Sequence, residues 1–133
     1  MLHDIVSMVV WVSSGAVLLF LLMLADSLFT KYNDMQEIRN GNVAVTTRFI
    51  MKLLSQAYIL SQSISAANNL LQALVVSFIS FIILLLLESL MRVVLRTWFK
   101  LHIEQGTQDG KIAHALFAGS IHVAGALIIG AYL

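Results

Sequence analysis

The amino-acid sequence predicts an all-α integral membrane protein with four transmembrane helices, built as two tandem two-helix repeats. Three observations support this prediction. The 133 residues are 59% hydrophobic and only 11% charged, whereas soluble domains have about 25% charged residues. Every lysine and arginine lies in one of two windows, 31–52 and 92–111. The stretches outside these windows are long and apolar, and each exceeds the roughly 20 residues that a spanning helix needs.

The composition also excludes several classes of protein. The chain has no cysteine, which excludes disulfides, thiol catalysis and thiolate metal sites. The positive charges form no soluble basic face, so nucleic acid is not an expected partner. The first four residues lack the basic region of a signal peptide, and we therefore expect the first apolar segment to be retained as a span.

Three of the four spans are clear from hydropathy. They are expected at residues 5–25, 70–87 and 112–133, and the span at 70–87 continues as a helix to Lys100. The segment 43–67 is ambiguous because it carries Arg48, Lys52 and several serines and glutamines. A helix lying at the membrane surface is the alternative. The short, uncharged Asn68-Asn69 connection favours a span, since it makes the second and third helices antiparallel neighbours.

The positive charges also predict an orientation. Two basic loops, at about 27–42 and 99–110, lie on the same side of a four-span bundle. The positive-inside rule makes that side cytoplasmic and places both termini and the Asn68-Asn69 turn outside. We expect Phe29, Tyr32, Trp98 and Phe99 to form the cytoplasmic aromatic belt.

An internal repeat relates the two halves, about 1–68 and 70–133, of what we expect to be a single membrane domain covering 1–133. The halves align without a gap at an offset of 69 residues, so that Asn40-Gly41-Asn42 matches Asp109-Gly110-Lys111. Each unit holds two spans, and both units therefore have the same orientation. We expect Asn40 and Asp109 to cap the helices that follow, and the two glycines to let the chain turn.

Residues 37–45, EIRNGNVAV, resemble the hallmark of a bacterial inner-membrane family, the domain-of-unknown-function family 350 or YjfL-like proteins. The resemblance covers nearly the whole chain. It implies four spans, a weaker motif copy before the last span, a bacterial inner-membrane location and a membrane-stress protein as a cytoplasmic partner. In that membrane, the outside predicted for both termini is the periplasm. It implies no established activity. The chain departs from the family pattern in a second span without glycine, and in Lys111 and His114 of the second motif copy.

The second span carries a polar stripe on one helical face. Its members are Arg48, Lys52, Ser55, Gln56, Gln62 and Ser63. The stripe favours a polar path or an anion-attracting vestibule, because charges inside a bilayer usually face protein or water. The alternative is that Arg48 and Lys52 snorkel to the headgroups while the uncharged side chains bond neighbouring helices.

An intramembrane charge cluster is predicted from Asp26, Glu88 and Arg92, together with the two cations of the second span. Glu88 and Arg92 are spaced i, i+4 and can pair on one helical face. Asp26 is expected at a similar depth. The cluster is either a structural ion-pair network or a gate or proton-linked site.

The last span carries two other features. His114 and His122 are each expected to pack or to titrate, and they lie too far apart around the helix for one metal site. Small residues at Ala115, Gly119, Ala126 and Gly130 permit close helix packing, either within the monomer or in an oligomer seam. The chain shows no nucleotide-binding glycine spacing and no nucleophile–base pair, so neither an enzyme, a cofactor nor a metal is predicted.

These patterns favour an oligomeric channel or carrier for ions or small solutes in the inner membrane. The second-span stripe would line the route, with Glu88–Arg92 or His114 as a gate. The alternative is a membrane scaffold or envelope-stress partner whose basic loops recruit a cytoplasmic protein or anionic lipid. The expected partners are thus the lipid bilayer, further copies of the chain and a cytoplasmic membrane-stress protein.

Overall fold

The computed structural model describes all 133 residues as six helices and no strand. The helices are α1 (Leu2–Ser27), α2 (Asp34–Arg39), α3 (Val43–Ala66), α4 (Leu70–Trp98), α5 (Ile103–Gln108) and α6 (Ile112–Tyr132). Four of them, α1, α3, α4 and α6, are long and apolar enough to cross a membrane. The predicted four-span, all-α fold is therefore confirmed. We call the end of the bundle with α2 and α5 the loop side, and the end with Asn68-Asn69 the turn side.

Helix α3 is the centre of the bundle and contacts α1, α4 and α6. It is the most buried of the four spanning helices, so its polar stripe faces protein. The structure thus favours a span over the alternative of a helix lying on the membrane surface.

Helix α6 packs closely against α3 because its inward face consists of small residues. Ala115 and Ala126 are almost fully buried, Gly119 faces Met51, and Gly130 faces Tyr58. A side chain at either glycine would overlap its neighbour on α3. Of the two expected uses of this small-residue stripe, the structure shows packing within the monomer.

The two loop-side motifs adopt the same backbone geometry. Gly41 and Gly110 have left-handed φ angles of 82° and 87°, which glycine adopts without a steric cost. In both loops the N–H after the glycine bonds a carbonyl five residues back, at 2.9 Å, as at many helix C-termini. The repeat stays a prediction, but both of its motifs end a short helix.

The expected capping by Asn40 and Asp109 is wrong. Both residues end the short helices α2 and α5, which are too short to give a periodic signal in the sequence. Helix α3 is instead capped by Asn42, whose side-chain oxygen accepts the Val45 N–H at 3.2 Å. Lys111 stands at the equivalent position of α6 and makes no capping bond.

Candidate functional site

Ionisable side chains from all four spanning helices meet inside the bundle toward the loop side. Each has at most 5% of its surface exposed, and they are Asp26 of α1, Arg48 and Lys52 of α3, Glu88 of α4 and His122 of α6. We call this set the buried charge cluster. Burial of charge costs several kcal/mol per ion unless partners compensate.

Two ion pairs compensate the charges of the cluster. The Lys52 ammonium pairs with the Asp26 carboxylate and links α3 to α1. The Arg48 guanidinium donates to Glu88 Oε1 at 2.6 Å and links α3 to α4. His122 Nδ1 lies 3.3 Å from Glu88 Oε2 and brings in α6. Two carboxylates therefore face two basic side chains, and α3 carries both of these.

The predicted pair between Glu88 and Arg92 does not form. Glu88 turns inward to Arg48, whereas Arg92 lies 3.7 Å from Glu104 of α5. The snorkelling alternative for Arg48 and Lys52 is also wrong, because both side chains are buried against carboxylates. Sequence spacing favoured the local pair, since it cannot show which helix faces which.

Two residues outside the spans, Tyr32 and Asp34, lie at the loop-side end of the buried charge cluster. The Tyr32 hydroxyl accepts a 2.7 Å bond from Arg48, and burial raises the pKa of Tyr32 to about 12 despite the nearby guanidinium. The Ser27 hydroxyl donates to Asp34 at 3.1 Å. Burial raises the pKa of Asp34 above its usual value, against the opposing effect of Lys52.

Tyr32 and Asp34 are the functional-site residues that the sequence does not reveal. Tyr32 was expected in the aromatic belt with Phe29, Trp98 and Phe99, but it is buried while those three are exposed. Tyr32 lies between α1 and α2, and its partner Arg48 is 16 residues away on α3, so no local pattern in the sequence marks it.

A cavity of about 180 Å³ between α1 and α4 reaches the buried charge cluster. Its lining includes both ion pairs and also Arg92. The rest of the lining is polar at Thr30 and Ser89 and apolar at Phe29, Ile82, Leu85 and Leu86. This volume holds several water molecules, since one needs roughly 15 Å³. A small solute or ion entering here would contact both signs of charge.

Beyond the cluster, a buried polar track continues along α3 and α4. Arg48 lies opposite Glu88, so antiparallel register places Gln56 near the level of Ser80. Gln56 and Ser77 are at most 2% exposed, and neither the Gln56 amide nitrogen nor the Ser77 hydroxyl has a partner. Buried unpartnered polar groups of this kind are uncommon.

The remaining members of the predicted polar stripe play a different part. Ser55 and Ser63 are buried and donate to carbonyls of their own helix, at 2.6 and 2.8 Å. Gln62 is half-buried beside Gly130. The serines are therefore satisfied locally and do not bond neighbouring helices.

The two histidines of α6 lie in different surroundings. His114 is half-buried and packs on Gly106 of α5. His122 lies with Asp26 and Glu88, and one potential ligand atom from each residue falls within 4.8 Å of the others. No metal was predicted from the sequence, but helix packing brings these two carboxylates beside His122. A metal ion bound there would compete with Lys52 for Asp26 and would lie beside the Arg48 guanidinium on Glu88.

Comparison with known proteins gives one match. A family model described as Domain of Unknown Function (DUF350) matches residues 1–133, which is the whole chain. Searches of curated proteins and of solved structures found no match.

Proposed function

Because the chain belongs to the Domain of Unknown Function family DUF350 and has four membrane-spanning helices around a buried charge cluster, we propose that it is a channel or carrier. Its cargo would be ions or small solutes, and it would not be an enzyme. The buried charge cluster with its adjoining cavity is the observation that carries this proposal.

The energetics of the cluster favour a functional origin. A buried ion pair is weak evidence for stability, since well-packed apolar residues of the same volume are often as stabilising or more so. Ionisable groups inside spanning segments are costly and commonly mark substrate, ion or proton pathways. Two pairs shared among three spanning helices therefore fit a role in moving charge.

The geometry suggests how a passage would be controlled. The Lys52–Asp26 pair lines the α1–α4 cavity, and Gln56 of the polar track follows Lys52 by about one turn of α3, toward the turn side. Opening this pair would expose a carboxylate to a cation or an ammonium to an anion. Gln56 and Ser77, with their unpartnered atoms, would then bind water or solute along the track.

The proposal includes the expected orientation and assembly. The loop side is cytoplasmic by the positive-inside rule, and both termini are periplasmic. We propose a homo-oligomer, because four spanning helices give little room for a complete pathway in one copy. The small-residue stripe of α6 is already buried against α3, so another surface would form the contact.

Ion flux through reconstituted liposomes tests the proposal. Purified protein should pass at least one of H⁺, K⁺, Na⁺ or Cl⁻ faster than empty liposomes do, and Glu88→Gln should change that rate severalfold. Lys52→Leu alone leaves Asp26 buried and unpaired, at a cost of about 3–5 kcal/mol. Asp26→Leu/Lys52→Leu removes both charges, should keep the fold and should alter flux.

Asp109→Asn is the matched control, because it removes an exposed carboxylate that belongs neither to the ion pairs nor to the cavity lining and should leave flux unchanged. If liposomes that contain the wild-type protein are no more permeable to the four ions than empty liposomes are, ion transport is contradicted. That result would favour the scaffold alternative.

A further inference from the structure

A second, smaller cavity lies outside the buried charge cluster, where the end of α4 meets α5. Its volume is about 60 Å³, and its lining is strongly basic. The charged or titratable side chains around it are Lys31, Arg92, Arg96, His102 and Glu104. We call this cavity the basic pocket.

Internal contacts neutralise only part of the positive charge in the basic pocket. Glu104 Oε1 accepts the backbone N–H of Lys31 at 2.9 Å, and Glu104 Oε2 lies 3.7 Å from Arg92. The side chains of Lys31 and Arg96 form no ion pair with any carboxylate. Two cations therefore face the pocket without a counter-charge.

The basic pocket lies where the bilayer surface is expected. Helix α4 has 29 residues and is about 43 Å long at 1.5 Å per residue, which exceeds the roughly 30 Å hydrocarbon thickness. Its last turns, with Arg92 and Arg96, therefore extend into the headgroup region. On the helical face next to Arg96, Leu86 and Val93 are 67% and 47% exposed and offer an apolar surface to acyl chains.

We propose that the basic pocket binds the phosphate group of an anionic phospholipid whose acyl chains lie along the outer face of α4. The volume holds a few water-sized groups, since one water needs roughly 15 Å³, and so suits a phosphate but not an acyl chain. Arginine donates paired hydrogen bonds that match phosphate oxygens. Basic pockets beside spanning helices favour acidic headgroups over zwitterionic ones.

Lipid titration of the full chain in a neutral detergent, read by native mass spectrometry, tests this site. Phosphatidylglycerol should bind at least about tenfold more tightly than phosphatidylcholine. Lys31→Gln/Arg96→Gln should weaken phosphatidylglycerol binding by about 25-fold, or about fivefold for each basic side chain near the surface. These substitutions leave the Arg92–Glu104 contact in place, so the fold should be kept.

Arg39→Gln/Lys111→Gln is the matched control, because it removes two exposed cations on the same side but outside the pocket. Its lipid affinity should stay close to that of the wild type. Equal losses in both double variants would overturn the site in favour of general surface attraction. Equal affinity for the two lipids would also overturn it.

Inorganic phosphate provides the remaining arm of the test. If millimolar inorganic phosphate occupies the pocket to the same extent as phosphatidylglycerol, the lipid assignment is overturned. The ligand would then be a soluble oxyanion. Lipid binding is measured without any ion gradient, so its failure and a failure of the transport proposal are distinguishable.

Discussion

Helices α6 and α1 both pack against α3, but they do so in opposite ways. The contact of α6 follows a stripe of alanines and glycines and is close along its length. Helix α1 buries only Gly15, Leu22, Met23 and Asp26, and a cavity opens between it and α4. One side of the bundle is therefore closely packed, while the other depends on an ion pair.

The difference indicates which part of the bundle can move. Displacing α6 would lose dispersion contacts along a whole interface, whereas displacing α1 would break the Lys52–Asp26 pair and expose only a few apolar residues, chiefly Leu22 and Met23. For any conformational change during transport, we expect α1 to move while α3 and α6 stay packed together. Three further predictions test this contrast, ordered from the largest expected effect to the smallest.

The largest effect is expected from filling the α3–α6 contact. Gly119→Leu would drive a side chain into Met51, and overpacking of this kind costs about 1–3 kcal/mol. Gly15→Leu is the matched change on α1, where an added Cβ would lie 3.2 Å from the flexible tip of Leu60. It should cost less than about 1 kcal/mol, since α1 can shift. Denaturation in mixed micelles measures the free energy of unfolding of both variants. Equal losses of this free energy would show that α1 and α6 do not differ in how closely they pack.

An intermediate effect is expected at the two loop-side motifs. Asn42 caps α3 and also donates to the Gln108 carbonyl of α5 at 2.9 Å, which holds α3 beside the α5–α6 unit. Asn42→Ala should lower the free energy of unfolding by about 1–2 kcal/mol. Lys111→Ala, at the matching position without a capping bond, should change it by less than about 0.5 kcal/mol. Similar losses of unfolding free energy in the two variants would show that Asn42 and Lys111 contribute equally to stability.

The smallest effect is expected at Asp34, on the α1 side. Burial raises the pKa of Asp34 above its ordinary 3.8 in the folded state, so the folded state holds this proton more tightly than the unfolded state does. Stability should therefore fall as pH rises from about that value through the folded pKa. Asp34→Asn should remove this decline and raise the melting temperature at pH 7 by a few degrees. Circular-dichroism melts between pH 4 and 7 measure it, with Asp109→Asn as an exposed control, and an unchanged pH profile would contradict it.

The sequence was sufficient for the spans but not for the pairings within the site. Hydropathy and charge windows are local properties, so the four spanning helices and the inward-facing stripe of α3 could be predicted. The partner of Glu88 lies 40 residues away in the chain at Arg48, and only helix packing brings the two together. The local alternative, Arg92, was closer in sequence but lies beside α5. Asn42 was missed as a cap because the six-residue α2 leaves no periodic pattern.

The buried cations of α3 also bear on how the chain enters a bilayer. Helix α3 is the least apolar of the four spans and α4 is the most apolar, so α3 is a weak insertion signal by itself. Only Ala67, Asn68 and Asn69 separate the two helices, and Glu88 on α4 neutralises Arg48 on α3. The two helices are thus suited to partition from the translocon together, as a preformed hairpin. In that order of events, the same salt bridge that lies in the candidate site would first serve membrane biogenesis.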